Sequence, residues 1–274
     1  MTSPPPLSVA ALERAIAQAA EVAGHLWERG WAESNAGNFS IDVTGDLPSW
    51  LPATDGYPAG SAPEPYPELA GRAFWVSAAG SRMRDLARAP QESCGLIRIA
   101  SDGATFGVAW GPPSFRPTSE LPTHLAVHAA LRRHGAAGRA VLHTHPTELI
   151  ALTHLPALTQ ERLSRLLWSM TPETVVLAPE GVALIPYLPP GSAEVGAATA
   201  RAALRYPLVV WEKHGAFAVG DDLLADFDLI DAINKSAALY LACRTAGFQP
   251  RGLSEQQIAA LRKSRQQSKG NRQQ

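Results

Sequence analysis

Cysteine is nearly absent from this chain: 274 residues hold two, Cys94 and Cys243, far apart and in neither a metal-type nor a redox spacing. That excludes a disulfide scaffold and a paired-cysteine zinc site, and fits two buried apolar fillers in a reducing, cytoplasmic compartment. Net charge is equally scarce. Twenty-four Lys plus Arg against 25 Asp plus Glu leave a formal −1, so no global field recruits nucleic acid or an anionic membrane, and an anionic substrate must be held by local groups. No run of about 18 apolar residues occurs, and Met1-Thr2-Ser3-Pro4-Pro5-Pro6 has neither the basic start nor the apolar stretch of a secretory signal. Phosphate-loop, dinucleotide-fingerprint and serine-hydrolase-elbow patterns are missing too. Most competing enzyme classes fall with them.

What is present suits a folded domain. The chain is 46% hydrophobic and long enough to bury a sizeable core. We expect one domain over residues 1–263 and a polar, disordered tail over 264–274. Ser8 can cap a helix running to about Arg29, with Gly30 placed to end it. The proline- and glycine-crowded stretch 48–67 reads as a surface excursion, residues 74–77 as a strand, and 94–100 with 105–110 as an antiparallel hairpin. Further helices are expected through Leu121, Leu125 and Leu131 with Ser119 and Glu120 in the first turn, over 158–168, from Gly191 or Ser192 through Leu204 and over 223–246, with strands at 174–177 and 182–186. Short strands with helices between and around them argue a single α/β or α+β domain.

Against that background one phrase stands out, Ala140-Val141-Leu142-His143-Thr144-His145-Pro146. Side chains on a strand alternate faces, so His143 and His145 share one face while Leu142 and Thr144 take the other, and Pro146 ends the strand. A third histidine, His214, follows the strand-like run 206–213 and precedes Gly215, which suits a tight turn. Three imidazoles with one open position describe a catalytic zinc rather than a structural one. Taken alone, a His-x-His pair has the blander reading of two packed side chains.

Other residues carry the same double reading. Glu120, in Pro117-Thr118-Ser119-Glu120-Leu121-Pro122, stands at a helix start, where a carboxylate complements the dipole or serves as metal ligand or proton-transfer base. His124 lies four residues on, on the same helical face, either supporting the site or packing. Asn35-Ala36-Gly37-Asn38-Phe39-Ser40 combines exposed backbone N–H groups with two carboxamides, a phosphate cradle or an ordinary turn.

Together these phrases resemble the class II aldolase/adducin family over nearly the whole chain, from Trp27 to Phe248. Asn-x-Gly-Asn, Ser-Glu, His-x-His and His-Gly in this order are specific in combination, and the longer phrases place the chain in the family's rhamnulose-type branch. The resemblance implies an α/β/α sandwich with a largely antiparallel sheet, assembled as a cyclic homotetramer. It implies one Zn2+ per subunit on His143, His145 and His214, with Glu120 beside it as fourth ligand or catalytic base. It also implies phosphate contacts from Asn35, Gly37, Asn38, Ala79, Gly80 and Ser119, and a second acid, Glu173, that reaches a neighbouring subunit's aldehyde. The implied reaction is retro-aldol cleavage of a ketose 1-phosphate, L-rhamnulose 1-phosphate first. A fuculose-phosphate-type aldolase, a ribulose-phosphate 4-epimerase, a methylthioribulose-phosphate dehydratase and a non-catalytic adducin-like module stand as alternatives. One departure touches the ligand site. Ala79 stands where the relatives offer a serine hydroxyl, the loss of a hydrogen bond to an anion that costs about 1.5 to 3 kcal/mol.

Overall fold

A computed structural model describes residues 10–47 and 59–271 of the chain. The capping role given to Ser8 and much of the 48–67 excursion lie outside the described residues. The first helix, α1 (Ala10–Glu28), ends as the sequence reading expects. Gly30 adopts φ +71°, and the Trp31 amide reaches back to the Leu26 carbonyl, closing the helix with a left-handed glycine.

Among the described residues the strands are β1 (Asn38–Asp42), β2 (Gly60–Ser61), β3 (Ala73–Ser77), β4 (Cys94–Ile99), β5 (Thr105–Trp110), β6 (Ala140–Thr144), β7 (Ala183–Ile185), β8 (Leu208–Trp211) and β9 (Gly215–Gly220). They form one sheet in the order β2-β5-β4-β3-β1-β6-β9-β8-β7. Only β7 and β8 pair in parallel. Helices cover both faces. Those after α1 are α2 (Met83–Leu86), α3 (Pro90–Ser93), α4 (Leu121–Arg133), α5 (Thr147–Leu152), α6 (Gln160–Met170), α7 (Pro172–Leu177), α8 (Ala193–Ala203), α9 (Leu223–Thr245) and α10 (Glu255–Asn271). One apolar layer joins the sheet to α1, α5, α6 and α9 through Leu26, Phe39, Trp75, Leu142, Leu163 and Ile230. The other joins it to α4 and α8 through Phe74, Leu125, Val141, Val195, Val209 and Phe217. This is the expected α/β/α sandwich with a largely antiparallel sheet. No helix of the described residues is long and apolar enough to cross a membrane.

Two expectations fail. Residues 174–177 read as a strand because Thr174-Val175-Val176 is β-branched, yet they are helical in α7. Pro172 presets the first turn, and packing on α9 settles the matter: Thr174 is buried, its hydroxyl 2.7 Å from that of Ser236. The polar tail is not disordered throughout, since α10 continues past Ser264 to Asn271. Gln, Arg and Lys are good helix formers, and no glycine interrupts them before Gly270. The sequence reading also passes over α2, α3, α5, β2 and β9, of which the first four are shorter than the windows in which periodicity can be read.

β1 positions the site. Phe39 and Ile41 enter the layer on the α1 side, so Asn38, Ser40 and Asp42 point at α4, a polar stripe in an otherwise apolar interface. Beside it, β6 pairs His143 with Asn38 and, on its other side, with Phe217 of β9.

Candidate active site

His143 is on the last turn of the β6 pleat that faces α4, 1% exposed and stacked on Phe217 with ring centroids 4.4 Å apart. Its Nδ1–H donates to the Ala216 carbonyl at 3.0 Å, which leaves Nε2 a lone pair, buried and without a partner. Burial and the neighbouring His145 and His214 push its pKa well below the ordinary value. His145 follows directly after β6, its amide bonded to the Trp31 carbonyl. Its Nδ1–H donates to Glu33 Oε1 at 2.7 Å, leaving Nε2 outside that contact. Burial acts to raise the Glu33 carboxyl, but the hydrogen bond from His145 and the charges around it hold it below the usual range. His214 sits in the turn between β8 and β9, where Lys213 takes φ +60°; burial and His145 lower its pKa to about 4. The three rings bring one nitrogen each to within 4.8 Å of the others. Three converging imidazoles, of which His143 and His214 have pKa values lowered by burial and each keep a buried ring nitrogen without a partner, are the donor set a zinc-type cation requires.

Gly215 has a different role from the one its sequence position suggests. The left-handed residue of the turn is Lys213, and Gly215 is needed for space. A Cβ there would lie 2.6 Å from the Thr144 carbonyl oxygen, and 2.9 Å from His143 Cε1 and from His145 Cδ2. Only a residue without a side chain lets β9 approach both ligands.

Glu120 closes the centre from the start of α4. Its Oε2 is 3.4 Å from His143 Nε2 and its Oε1 3.8 Å from His214 Nε2. Burial raises its pKa, while a hydrogen bond from Asn38 and the nearby His145 pull the other way. Asn38 Nδ2 donates to Glu120 Oε2 at 3.1 Å, and its Oδ1 accepts from His124 Nε2 at 2.6 Å. The Asn38 carboxamide is thus committed at both ends to the site's own side chains.

The cleft beside these groups has a volume of about 360 Å³ and is lined by His143, His145, His214, Glu33, Glu120 and every residue matched to phosphate binding: Asn35, Gly37, Asn38, Ala79, Gly80 and Ser119. No Lys or Arg is among its lining residues. Its outer end is open: Ala79, Gly80 and Ser119 are exposed. Gly37 and Gly80 hold φ of +82° and +76°, conformations that turn backbone N–H groups toward an anion. The Ala79 amide is already bonded to the Arg116 carbonyl. The amides of Gly80 and Ser119 make no hydrogen bond among the described residues. Ser119 also precedes α4, whose 13 residues direct a positive dipole end at the cleft.

Ten of the eleven sequence-derived site residues therefore meet in one place. Glu173 does not: it is exposed in the first turn of α7, away from this cleft. The sequence reading missed Glu33, although the phrase Glu33-Ser34-Asn35 contains it, because nothing in spacing along the chain points a glutamate at a histidine 112 residues away.

The sequence profile of the Class II Aldolase and Adducin N-terminal domain matches residues 17–241. The chain is 42% identical over 256 residues to the rhamnulose-1-phosphate aldolase of Bacteroides thetaiotaomicron, covering 92% of this chain and 94% of the relative. It is 32% identical to the protein of that name from Listeria monocytogenes, covering 90% and 91%. The structure superposes on the sugar-phosphate aldolase from Thermotoga maritima with a TM-score of 0.76 and 28% identity, covering 88% of this chain and 99% of the other. With the profile spanning most of the chain and the site groups assembled as described, the protein belongs to the class II aldolase and adducin family.

Proposed function

We propose that the protein is a zinc-dependent lyase that cleaves L-rhamnulose 1-phosphate to dihydroxyacetone phosphate and L-lactaldehyde. One observation carries this reading: three imidazoles and a buried carboxylate converge at the inner end of a cleft whose outer end offers unpaired amides. The names of the relatives supply the sugar. Both cysteines are unpaired, in keeping with a cytoplasmic enzyme.

Carbon–carbon cleavage beside a carbonyl leaves an enediolate too basic to form unaided at neutral pH. Zinc on His143, His145 and His214 would supply the Lewis acid that stabilises this charge. Glu120 carries the proton to the carbon that bore the departing aldehyde. Burial makes its carboxylate a readier proton acceptor than an exposed glutamate, and the Asn38 N–H holds the ionised form in place between proton transfers. The phosphate lies at the open end, held by Gly80 and Ser119 amides, the Gly37 turn, Asn35 and the start of α4. Glu173 serves the cleft of an adjacent subunit in a cyclic tetramer, taking the proton from the hydroxyl that becomes the aldehyde. Val176 and Leu177 beside it are 40% and 39% exposed, apolar surface that a subunit contact would cover.

Assays with L-rhamnulose 1-phosphate, L-fuculose 1-phosphate and methylthioribulose 1-phosphate, together with zinc content per subunit, test the reading. Preferred cleavage of the first by protein holding one zinc supports it. Cleavage of none overturns it. Mixing Glu120→Gln chains with Glu173→Ala chains tests the shared site, because mixed tetramers regain activity only if the two residues act in one cleft from two subunits.

A further inference from the structure

Behind Glu120 the polar stripe of β1 meets two histidines of α4 that the reaction does not use. Residues two apart on a strand are separated by about 6.6 Å and residues four apart on a helix by about 6 Å, so the two ladders run in step. Asn38 and Ser40 interleave with His124 and His128 accordingly. His124 Nε2 is 2.6 Å from Asn38 Oδ1, its Nδ1 2.8 Å from Ser40 Oγ, and Ser40 Oγ 2.8 Å from His128 Nε2. Ser40, His124 and His128 are 1%, 0% and 2% exposed, so solvent has no access to exchange for any of these bonds.

We propose that His128, Ser40, His124 and Asn38 form a one-way hydrogen-bond chain that fixes the Asn38 carboxamide with its NH2 on Glu120, making Ser40, His124 and His128 positioning residues for the catalytic carboxylate. The direction follows from donor counting. An ionised Glu120 only accepts, so Asn38 donates through Nδ2 and accepts through Oδ1. His124 must then carry its hydrogen on Nε2. Burial holds its pKa at about 3, which leaves the neutral ring a lone pair on Nδ1, and that lone pair takes the Ser40 hydroxyl hydrogen. Ser40 in turn accepts from His128 Nε2–H. Turning the Asn38 amide over would set its oxygen against the carboxylate and its NH2 against the His124 N–H, so the chain permits one orientation only. It does not conduct protons, because an amide in the line passes none along.

The chain sorts the histidines into two tautomers. His143 carries hydrogen on Nδ1 and keeps Nε2 free, whereas His124 and His128 carry it on Nε2. Long-range 1H–15N spectra of the zinc-loaded enzyme labelled in histidine, assigned with single-histidine variants, read this directly. Neutral Nε2–H rings for His124 and His128 at pH 7 support the proposal; an Nδ1–H or protonated His124 overturns it.

Kinetics give the second arm, which rests on the role assigned to Glu120 above, whereas the tautomers hold or fail without it. Ser40→Ala removes the donor that fixes His124. We expect kcat to fall on the order of tenfold with zinc content and KM nearly unchanged, and Ser40→Thr to recover kcat by restoring the hydroxyl. A Ser40→Ala enzyme with wild-type kcat overturns the positioning role. Should that variant fail to fold, His128→Gln replaces it, expected to lower kcat less because the Ser40 to His124 bond survives; wild-type kcat there counts against the chain equally.

Discussion

His143 is buried against Phe217 with its Nδ1 tied to a β9 carbonyl, whereas Ala79, Gly80 and Ser119, at the other end of the same cleft, are exposed and offer chiefly backbone. At the inner end three side chains are each held by a further group: Ala216 for His143, Glu33 for His145 and Asn38 for Glu120, with His124 behind Asn38. The geometry there is over-determined, and burial sets the charge states. The outer end consists of turns whose conformation is fixed by glycines and whose groups remain in contact with solvent. The difference follows from the task of each end. A metal and a proton-transferring carboxylate need fixed positions and neutral imidazoles, while a phosphate needs several weak donors that accept it from water. Damage to the inner end should therefore abolish function, and changes at the outer end should only grade it.

The largest effect is expected from Gly215→Ala, which puts a methyl group into contact with both strand histidines. Zinc content and activity should disappear together, as they should in His143→Ala, while circular dichroism shows the fold retained. A Gly215→Ala protein with full zinc would mean that the inner end tolerates displacement, and the contrast would fail. Next comes Glu120→Gln, which keeps shape and most of the zinc but cannot move a proton. Its turnover should drop by about 10²- to 10⁴-fold, and near-normal turnover would place the base elsewhere.

Glu33→Gln probes a support rather than a ligand. Loss of the carboxylate on His145 Nδ1 should weaken zinc affinity by about 10- to 100-fold, read by competition with a chelator. Unchanged affinity would make the 2.7 Å contact incidental. A fourth test uses pH. His124 and His128 are held neutral by burial, with pKa values of about 3 and about 4 against 6.5 when unfolded. The unfolded chain thus binds more protons below pH 6.5, so stability is full above it and falls as pH drops toward 4. Each histidine contributes up to about 1.4 kcal/mol per pH unit. Denaturant titrations over this range should show that slope, shallower in His128→Gln; a flat profile would show both rings already charged in the fold.

The smallest effect is expected at the outer end. Ala79→Ser adds a hydroxyl beside Gly80, and KM for the sugar phosphate should fall several-fold, about 1 kcal/mol. A KM that is unchanged or higher for every sugar phosphate would mean that the turn no longer holds phosphate.

How far the sequence discloses these two ends follows from how each is encoded. His143 and His145 are visible because strand alternation is a local rule, and the glycine-punctuated turns at Gly37 and Gly80 because positive φ selects glycine locally. Glu120 and the phosphate residues become legible only as a set, through the family phrases. Glu33, Ser40 and His128 carry no local mark. Their partners lie 84 to 112 residues away, and each in isolation is an ordinary polar residue. The α7 segment shows the opposite failure, a β-branched run whose local preference is overridden by packing on α9.

The sequence by itself determined a single α/β or α+β domain, the shared strand face of His143 and His145 and the types of group available for chemistry, because periodicity, capping and side-chain composition act over a few residues; the sandwich was implied by the family resemblance. Only the tertiary structure decided which groups meet. Pairing of β1, β6 and β9 sets Asn38, His143 and Phe217 side by side, and the seating of α4 on β1 points Glu120 at the imidazoles and His124 at Asn38. The close approach of β9 turns Gly215 from a turn residue into the space the metal ligands need. Those relations are distances between segments far apart in the chain, and they exist only once burial of the two apolar layers has fixed every strand in register.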